Sequence, residues 1–230
     1  MTNINFIFKV IFQNDDFLVI NKENKISTQK NKDYFDSIEQ KLADLGEPFA
    51  SLPRCGIVHR LDKDTTGLLL VAKNLNYYNF LINLFKERKI EKEYISLHSG
   101  FPESDKGEIT FYLKKKFSKN KRVKMQIDPL DGKLVKLYFE LISKGDNFSL
   151  LKVKPITGRT HQIRLAFHAI DFHIYNDPIY NKPGVLPEDE NGQYLHAYFL
   201  RFFDRGNKFE FIAELPDFFS KKIKDLKLSF

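Results

Sequence analysis

Cysteine is almost absent: Cys55 is the single one among 230 residues, so no disulfide can form within the chain. That suits a reducing compartment. With no chemistry in view that needs a thiolate, Cys55 reads as an inert, buried thiol. Long apolar runs are also missing. The stretch from Phe6 to Phe12 is broken by Lys9 and followed at once by Asp15 and Asp16, unlike a signal peptide, and no segment is long enough to cross a bilayer. A soluble, cytoplasmic protein is expected. Gly67 and Gly158 stand alone rather than within a phosphate-cradling G-x-x-x-x-G-K-[ST] loop. His161, His168 and His173 lie near Asp171 and Asp177, but there is no H-E-x-x-H and no Cys/His pairing. No metal and no cofactor is therefore expected. Internal repeats and low-complexity linkers are lacking too.

What is present is a modest basic excess, 37 Lys and Arg against 30 Asp and Glu, for a net charge of +7. Its distribution says more than its size. Lys114, Lys115, Lys116, Lys119, Lys121, Arg122 and Lys124 form a run without an acidic residue. Taken alone, a solvated hairpin tip and an RNA-contacting surface are equally open readings.

Alternation and turn residues predict strands from Phe6 to Phe12 and from Phe17 to Asn21, around the polar turn Gln13 to Asp16. A short helix is expected from Tyr34 to Leu45, stopped by Gly46. A second helix carries Tyr77, Phe80, Leu81, Leu84 and Phe85 at helical spacing, a stripe read as core, and ends in Lys86, Arg88 and Lys89. Further strands are expected at 94–98, 109–113, 135–142 and 148–153. A helix over 160–169 places Ile163, Phe167 and Ile170 on a buried stripe and Arg164 on another side. The last strands are expected at 195–203 and 209–215. This is an α+β pattern: a mixed, mostly antiparallel sheet with helices packed on it.

The most informative segment is His59-Arg60-Leu61-Asp62-Lys63-Asp64-Thr65-Thr66-Gly67, leading into Leu68-Leu69-Leu70-Val71-Ala72-Lys73. An arginine, two carboxylates, two hydroxyls and a glycine precede a short apolar run suited to a buried strand. Such a turn places polar side chains at a cleft edge while the strand holds their backbone. A solvated turn before a strand is the plainer reading of this segment taken alone. The full string, however, resembles HRLDxDT[ST]GLLL, the central motif of the RluA family of pseudouridine synthases. Three further stretches follow in order. Lys92-Glu93-Tyr94 resembles the family's K-x-Y segment. Pro155-Ile156-Thr157-Gly158-Arg159-Thr160-His161-Gln162-Ile163-Arg164 resembles P-x-TGRTHQIR, and Leu195-His196-Ala197 resembles the LHA strand, with Glu214 to Phe218 fitting the family's ending.

The resemblance implies one pseudouridine synthase catalytic domain over 1–230, with a central RNA-binding cleft and no preceding S4-type RNA-binding domain. It implies Asp62 as catalytic carboxylate, acting as nucleophile or as base, Tyr94 as the aromatic wall against the uracil, and Arg164 as the cation paired with Asp62. Arg60 either enters the base stack or contacts phosphate. Arg159, His161 and Gln162 are expected to line the cleft, with His161 equally open as a structural hydrogen-bonder, and His59 and Thr66 to contact RNA. Lys114, Lys115, Lys116, Lys121, Arg122 and Lys124 are expected to meet RNA backbone. The substrate expected is a uridine in an rRNA or tRNA stem-loop, acted on by a cofactor-free monomer. A catalytically decayed RNA-binding or RNA-folding module and a histidine-based metal hydrolase are the rivals. Two departures stand out. The family's K-P-x-G is Lys22-Glu23-Asn24-Lys25 here, which removes a rigid turn and a permissive dihedral. Its glycine-aspartate before P-x-Y is Asn176-Asp177, ahead of Pro178-Ile179-Tyr180. Thr66 replaces a commoner serine and keeps the hydroxyl.

Overall fold

The apolar run that follows the motif becomes the most deeply buried strand of its neighbourhood. In the computed structural model, which describes residues 4, 7–30, 36–117, 123–128, 130–182 and 184–230, every residue of the strand Thr66–Ala72 is buried. The chain divides into two compact units, residues 1–92 with 195–217 and residues 93–194 with 218–230.

In the first unit, β1 (Lys9–Gln13) and β2 (Phe17–Lys22) form the expected hairpin. Asn14 shapes its turn by accepting the amides of Asp16 and Phe17 at 3.0 and 2.8 Å, as turn asparagines do. Thr66–Ala72 is β3, antiparallel to β2 with Phe17 opposite Ala72 and Lys22 opposite Gly67. It is parallel to β9 (Leu195–Asp204), which pairs in turn with β10 (Asn207–Ile212). Gly67 has φ 108°, and a Cβ there would lie 2.3 Å from the Ala197 carbonyl oxygen. The motif glycine thus lets β3 approach β9. α1 (Ile38–Asp44) is capped by Ser37; the expected start at Tyr34 and Phe35 lies outside the described residues, as does Phe6. α2 (Leu75–Lys86) opens on an Asn74 cap and lays Tyr77, Leu81 and Leu84 on Phe17, Val19, Leu70 and Phe202. Its aromatic stripe is core. Ring contacts such as Phe17 stacked on Tyr77 at 5.3 Å add to the burial.

The second unit is built on β4 (Glu91–Ser99, from Glu93 onward), β8 (Phe148–Pro155), β7 (Lys133–Lys144), β5 (Lys106–Phe117) and β6 (Val123–Ile127), neighbours in that order and all antiparallel. α3 (Gln162–Ala169) is buried from Gln162 to Phe167, so both the expected stripe and the opposite side carrying Arg164 are enclosed. Ile170, expected on that stripe, is 50 % exposed because the helix ends before it. Neither β6 nor the last helix was expected. β6 pairs antiparallel with β5, Phe117 opposite Val123 and Leu113 opposite Ile127, and α4 (Asp217–Asp225) begins within the Glu214 to Phe218 ending. α4 is amphipathic over only nine residues, burying Phe219 and Ile223 and packing Phe218 and Phe219 on Tyr194.

Both glycines missing from the family pattern leave a left-handed backbone behind. Lys25 has φ 62° and Asn176 has φ 61°, a region that costs an ordinary residue about 1 kcal/mol. The side chains differ in what they return. Asn176 donates to Asp189 and Gly192 and accepts the amides of Glu188 and Asp189, fixing loop 188–192; Lys25 is exposed. Asn176→Gly is therefore expected to destabilise the fold by about 2 kcal/mol or more. Urea unfolding of the variant against the wild type checks this.

Candidate active site

Asp62 sits in a turn whose backbone is held almost atom by atom. The carbonyl of Asp62 accepts the amide of Thr65 at 3.1 Å, closing the four-residue turn. On one side, the Thr28 hydroxyl donates to the Leu61 carbonyl at 2.7 Å and accepts the Leu61 amide at 3.1 Å, where Thr28 is fully enclosed. On the other, the Lys22 ammonium donates to the carbonyls of Lys63, Glu23 and Ile26 at 2.8, 2.8 and 2.9 Å. Lys22 is 1 % exposed. Burial pulls its pKa down to about 7, while the carboxylates of Asp64, Asp62 and Glu23 act the other way. Three acceptor carbonyls call for three N–H donors and so for the ammonium form. Both anchors come from segment 22–28, the stretch in which the family's proline and glycine are missing. The Asp62 side chain itself is half-buried.

The residues around this turn secure it rather than extend it. Thr66 is 2 % exposed, and its hydroxyl is 2.8 Å from Nδ1 of His196, whose Nε2 lies 3.1 Å from the Ala213 carbonyl. That pairing fixes a neutral tautomer: Nε2–H donates to the carbonyl and Nδ1 accepts from Thr66. His59 accepts the Leu70 amide at 2.9 Å through Nε2 and packs on Phe85 at 4.9 Å. These side chains are spent inside the fold. Arg60 is exposed, with Nη1 3.3 Å from Gln29 Oε1. Cys55 is half-buried, and burial raises its pKa, so it stays a thiol.

In the second unit, Tyr94 is 9 % exposed on β4, opposite Val153. Arg164 grips Asp177 with a two-pronged fork, Nε to Oδ2 and Nη2 to Oδ1, both 2.7 Å, between side chains 3 % and 1 % exposed. The fork takes up two of the five guanidinium N–H donors. Asp177 Oδ1 also accepts the amides of Ile179 and Tyr180 at 2.9 Å, and the guanidinium lies 5.1 Å from the Tyr180 ring centre. Burial pushes the Asp177 carboxyl up, but the Arg164 bonds and charge and the two amides outweigh it, leaving it below the usual range. Gln162 Oε1 accepts from Thr157 and from the Arg159 amide at 2.9 and 2.8 Å, so it shapes its own loop. His161 has φ 54° and Nδ1 3.0 Å from the Tyr180 hydroxyl; Arg159 is exposed. Lys114 is ion-paired with Asp131 and Asp128 at 2.7 and 3.6 Å. Lys121 and Arg122, and the side chains of Lys115, Lys116 and Lys124, lie outside the described residues. No group of metal-ligating side chains stands out among the described residues.

Sequence reasoning missed Lys22, Thr28 and His196 as parts of the site's frame, and Asp177 as the partner of Arg164. Lys22 and Asp177 belonged to recognised segments, yet side-chain burial was the deciding signal, and a single sequence does not display it. Two neutral imidazoles of this frame, together with buried His98 of the second unit, give a pH dependence. Burial holds His59 at about 3, aided by Lys92 and Arg54, and holds His196 at about 4 against the Ala213 hydrogen bond. Below pH 6.5 the unfolded chain takes up protons that the native one refuses, so stability is lost as pH falls from 6.5 toward those values. The loss is about 1.4 kcal/mol per pH unit for each imidazole. Urea midpoints at pH 7 and pH 5.5 are expected to differ accordingly, and His196→Gln should shrink the difference.

Comparison with known proteins identifies the family. Residues 16–169 match the family model described as RNA pseudouridylate synthase. The ribosomal large subunit pseudouridine synthase C of Rickettsia prowazekii is 33 % identical over 93 % of this chain and 70 % of its own length. An uncharacterized RNA pseudouridine synthase of Haemophilus influenzae is 34 % identical over 90 % of this chain and 87 % of its own. In fold, the solved structure of human RNA pseudouridylate synthase domain containing 4 superposes with a TM-score of 0.77 at 20 % identity, over 96 % of this chain and 94 % of that one. The sequence motifs, the α+β architecture and the family match lead to one conclusion: the chain belongs to the RNA pseudouridylate synthase family and is an RNA pseudouridine synthase of the RluA type.

Proposed function

We propose that this enzyme isomerises particular uridines of ribosomal RNA, with Asp62 as the catalytic carboxylate. The observation that carries the assignment is the clamped turn: Leu61, Asp62 and Lys63 all have their carbonyls engaged, so the carboxylate springs from a backbone that cannot drift. The N1–C1′ bond of the uridine breaks, the detached uracil turns, and a C5–C1′ bond forms as C5 gives up its proton. Uracil is both leaving group and returning nucleophile, so no external redox partner enters the balance.

Tyr94 is assigned to the face of the uracil and Arg164 to the charge of Asp62. Both assignments rest on the K-x-Y and TGRTHQIR motifs. A cation beside a carboxylate favours its ionised form, which either role of Asp62 requires. Rigid support for Arg164 comes from Asp177, whose fork fixes the plane of the guanidinium. An aromatic wall offsets part of the few kcal/mol needed to unstack a base, and looped RNA lowers that cost further. The ribosomal substrate is proposed because relatives at about one-third identity are named for the large ribosomal subunit. A stem-loop uridine in transfer RNA is the second substrate to be examined.

Release of tritium from C5-labelled uridine in cellular RNA tests this reading. Wild-type protein is expected to release label and Asp62→Asn to release none, with RNA affinity kept within about threefold. RNA binding by the wild type without release would leave the decayed RNA-binding module as the better account.

A further inference from the structure

Three cations of the first unit gather with no ion pair to a carboxylate among the described residues. Arg54 stands in the tight turn Pro53–Gly56, where Arg54, Cys55 and Gly56 have φ of 52°, 51° and 82° in succession. Left-handed residues of this kind are retained where the surroundings force them, commonly at functional sites. Arg60 belongs to the motif loop. Lys92 opens the K-E-Y segment, with Nζ 5.6 Å from the Phe85 ring centre, and no ion pair joins any of the three to an acidic side chain among the described residues. Gln29 lies between the two arginines. In one orientation its Oε1 is 3.3 Å from Arg60 Nη1; with the amide turned over, the oxygen accepts from Nε and Nη2 of Arg54 at 2.9 and 3.1 Å. An amide has one acceptor end. Whichever guanidinium takes the oxygen, the other faces an NH2 group, so the cluster is one acceptor short by construction.

Arg54 and Lys92 also bear on one group. Both act on His59, after burial itself, to keep its imidazole neutral. Lys92, for its part, is pulled down to about 8 by burial. Two forked donors and an ammonium that make no ion pair among the described residues match a phosphodiester, whose two free oxygens accept paired N–H groups. A protein carboxylate would satisfy the same donors, yet no ion pair supplies one among the described residues. Solvated surface arginines are the plainer account of Arg60 alone; they do not account for a neutral amide shared with Arg54 or for an unpaired Lys92.

We propose that Arg54, Arg60 and Lys92, arranged around Gln29 and His59, form a phosphodiester-binding site that holds RNA backbone next to the Asp62 turn. This rests on the RNA-modifying reading above and adds to it a defined contact outside the lysine-rich hairpin. Arg54, which lies before the HRLD string, becomes a binding residue, and Arg60 contacts phosphate.

The test compares three variants by anisotropy of a fluorescein-labelled, uridine-containing RNA stem-loop over a salt series. Arg54→Gln removes one of the proposed contacts. Arg205→Gln removes the same charge at the β9–β10 turn, where the side chain is 91 % exposed. Gln29→Glu supplies the missing acceptor, pairing the arginines inside the protein. Arg54→Gln is expected to weaken binding about fivefold and to reduce the salt slope by about 0.7, as loss of one phosphate contact on single-stranded RNA does. Arg205→Gln is expected to bind as the wild type. Gln29→Glu is expected to weaken binding by a similar factor while raising the thermal midpoint by about 2 °C, which separates lost affinity from lost folding. Arg54→Gln binding no more weakly than Arg205→Gln, or Gln29→Glu keeping wild-type affinity, overturns the site. If that happens while the wild type still releases tritium, the enzyme reading stands and the phosphate site alone falls. A wild type that neither binds nor modifies RNA removes both.

Discussion

One buried ammonium sets the geometry on which the proposed chemistry depends. Lys22 leaves the end of β2 and turns inward, where its three N–H groups meet three carbonyls, one of them in the loop that carries Asp62. A lysine enclosed to this degree loses several kcal/mol of hydration, and only a full set of acceptors makes the ammonium tolerable. The same requirement makes the arrangement specific. If segment 23–26 or the Asp62 turn moved, a charge would be left in the interior short of an acceptor. Thr28 completes the grip from the other side of Asp62 by taking both polar groups of Leu61. The carboxylate is thus fixed through its own backbone, while its side chain is half-buried.

Behind the turn lies a strand that has no alternative place. Every residue from Thr66 to Ala72 is enclosed, flanked by β2 on one edge and β9 on the other. Gly67 permits the close approach to Ala197, and the Thr66 hydroxyl meets the neutral His196 imidazole across the same pairing. Residues of the motif that look from the sequence like substrate contacts therefore divide by burial. Buried Thr66 and Gln162 and half-buried His59 bond within the frame, whereas Arg60 and Arg159 are exposed. In the second unit the Arg164–Asp177 fork plays a comparable part. Two charges almost wholly withdrawn from water persist because each is met by geometry suited to it, with the backbone amides of Ile179 and Tyr180 completing the carboxylate.

Much of this was legible in the sequence because the relevant patterns are local. The β1–β2 hairpin, the apolar run of β3 and the five-residue stripe of α2 follow from alternation and helical spacing over a few residues. The Asp62 turn stood out because a string of polar residues meets a core strand in a family-specific order. The pattern failed where the deciding interaction is long-range. α4 has one short apolar face, and only Tyr194 gives Phe218 and Phe219 somewhere to pack. α3 showed one stripe, but both its sides are covered, so the charge of Arg164 had to be matched by Asp177, 13 residues on. Lys22 reads as the polar end of a strand, and nothing in its neighbours announces that Lys63 will come to it. Loss of the proline and glycine from that loop suggested altered geometry. In this chain Lys25 takes up a left-handed backbone, at the cost of local strain.

The central claim is that the Lys22 clamp holds Asp62 in its reactive position, and single-turnover tritium release by Lys22→Met at saturating RNA tests it most directly. The measurement belongs at a temperature where circular dichroism shows the variant folded, because three carbonyls deprived of a donor cost about 1 kcal/mol or more each. A carboxylate displaced by as little as 1 Å loses on the order of a hundredfold in rate. The account predicts a fall in rate of tenfold or more, with RNA affinity within about threefold of the wild type. A folded Lys22→Met protein turning over at the wild-type rate would show that Asp62 holds its place without the clamp, and would contradict the account.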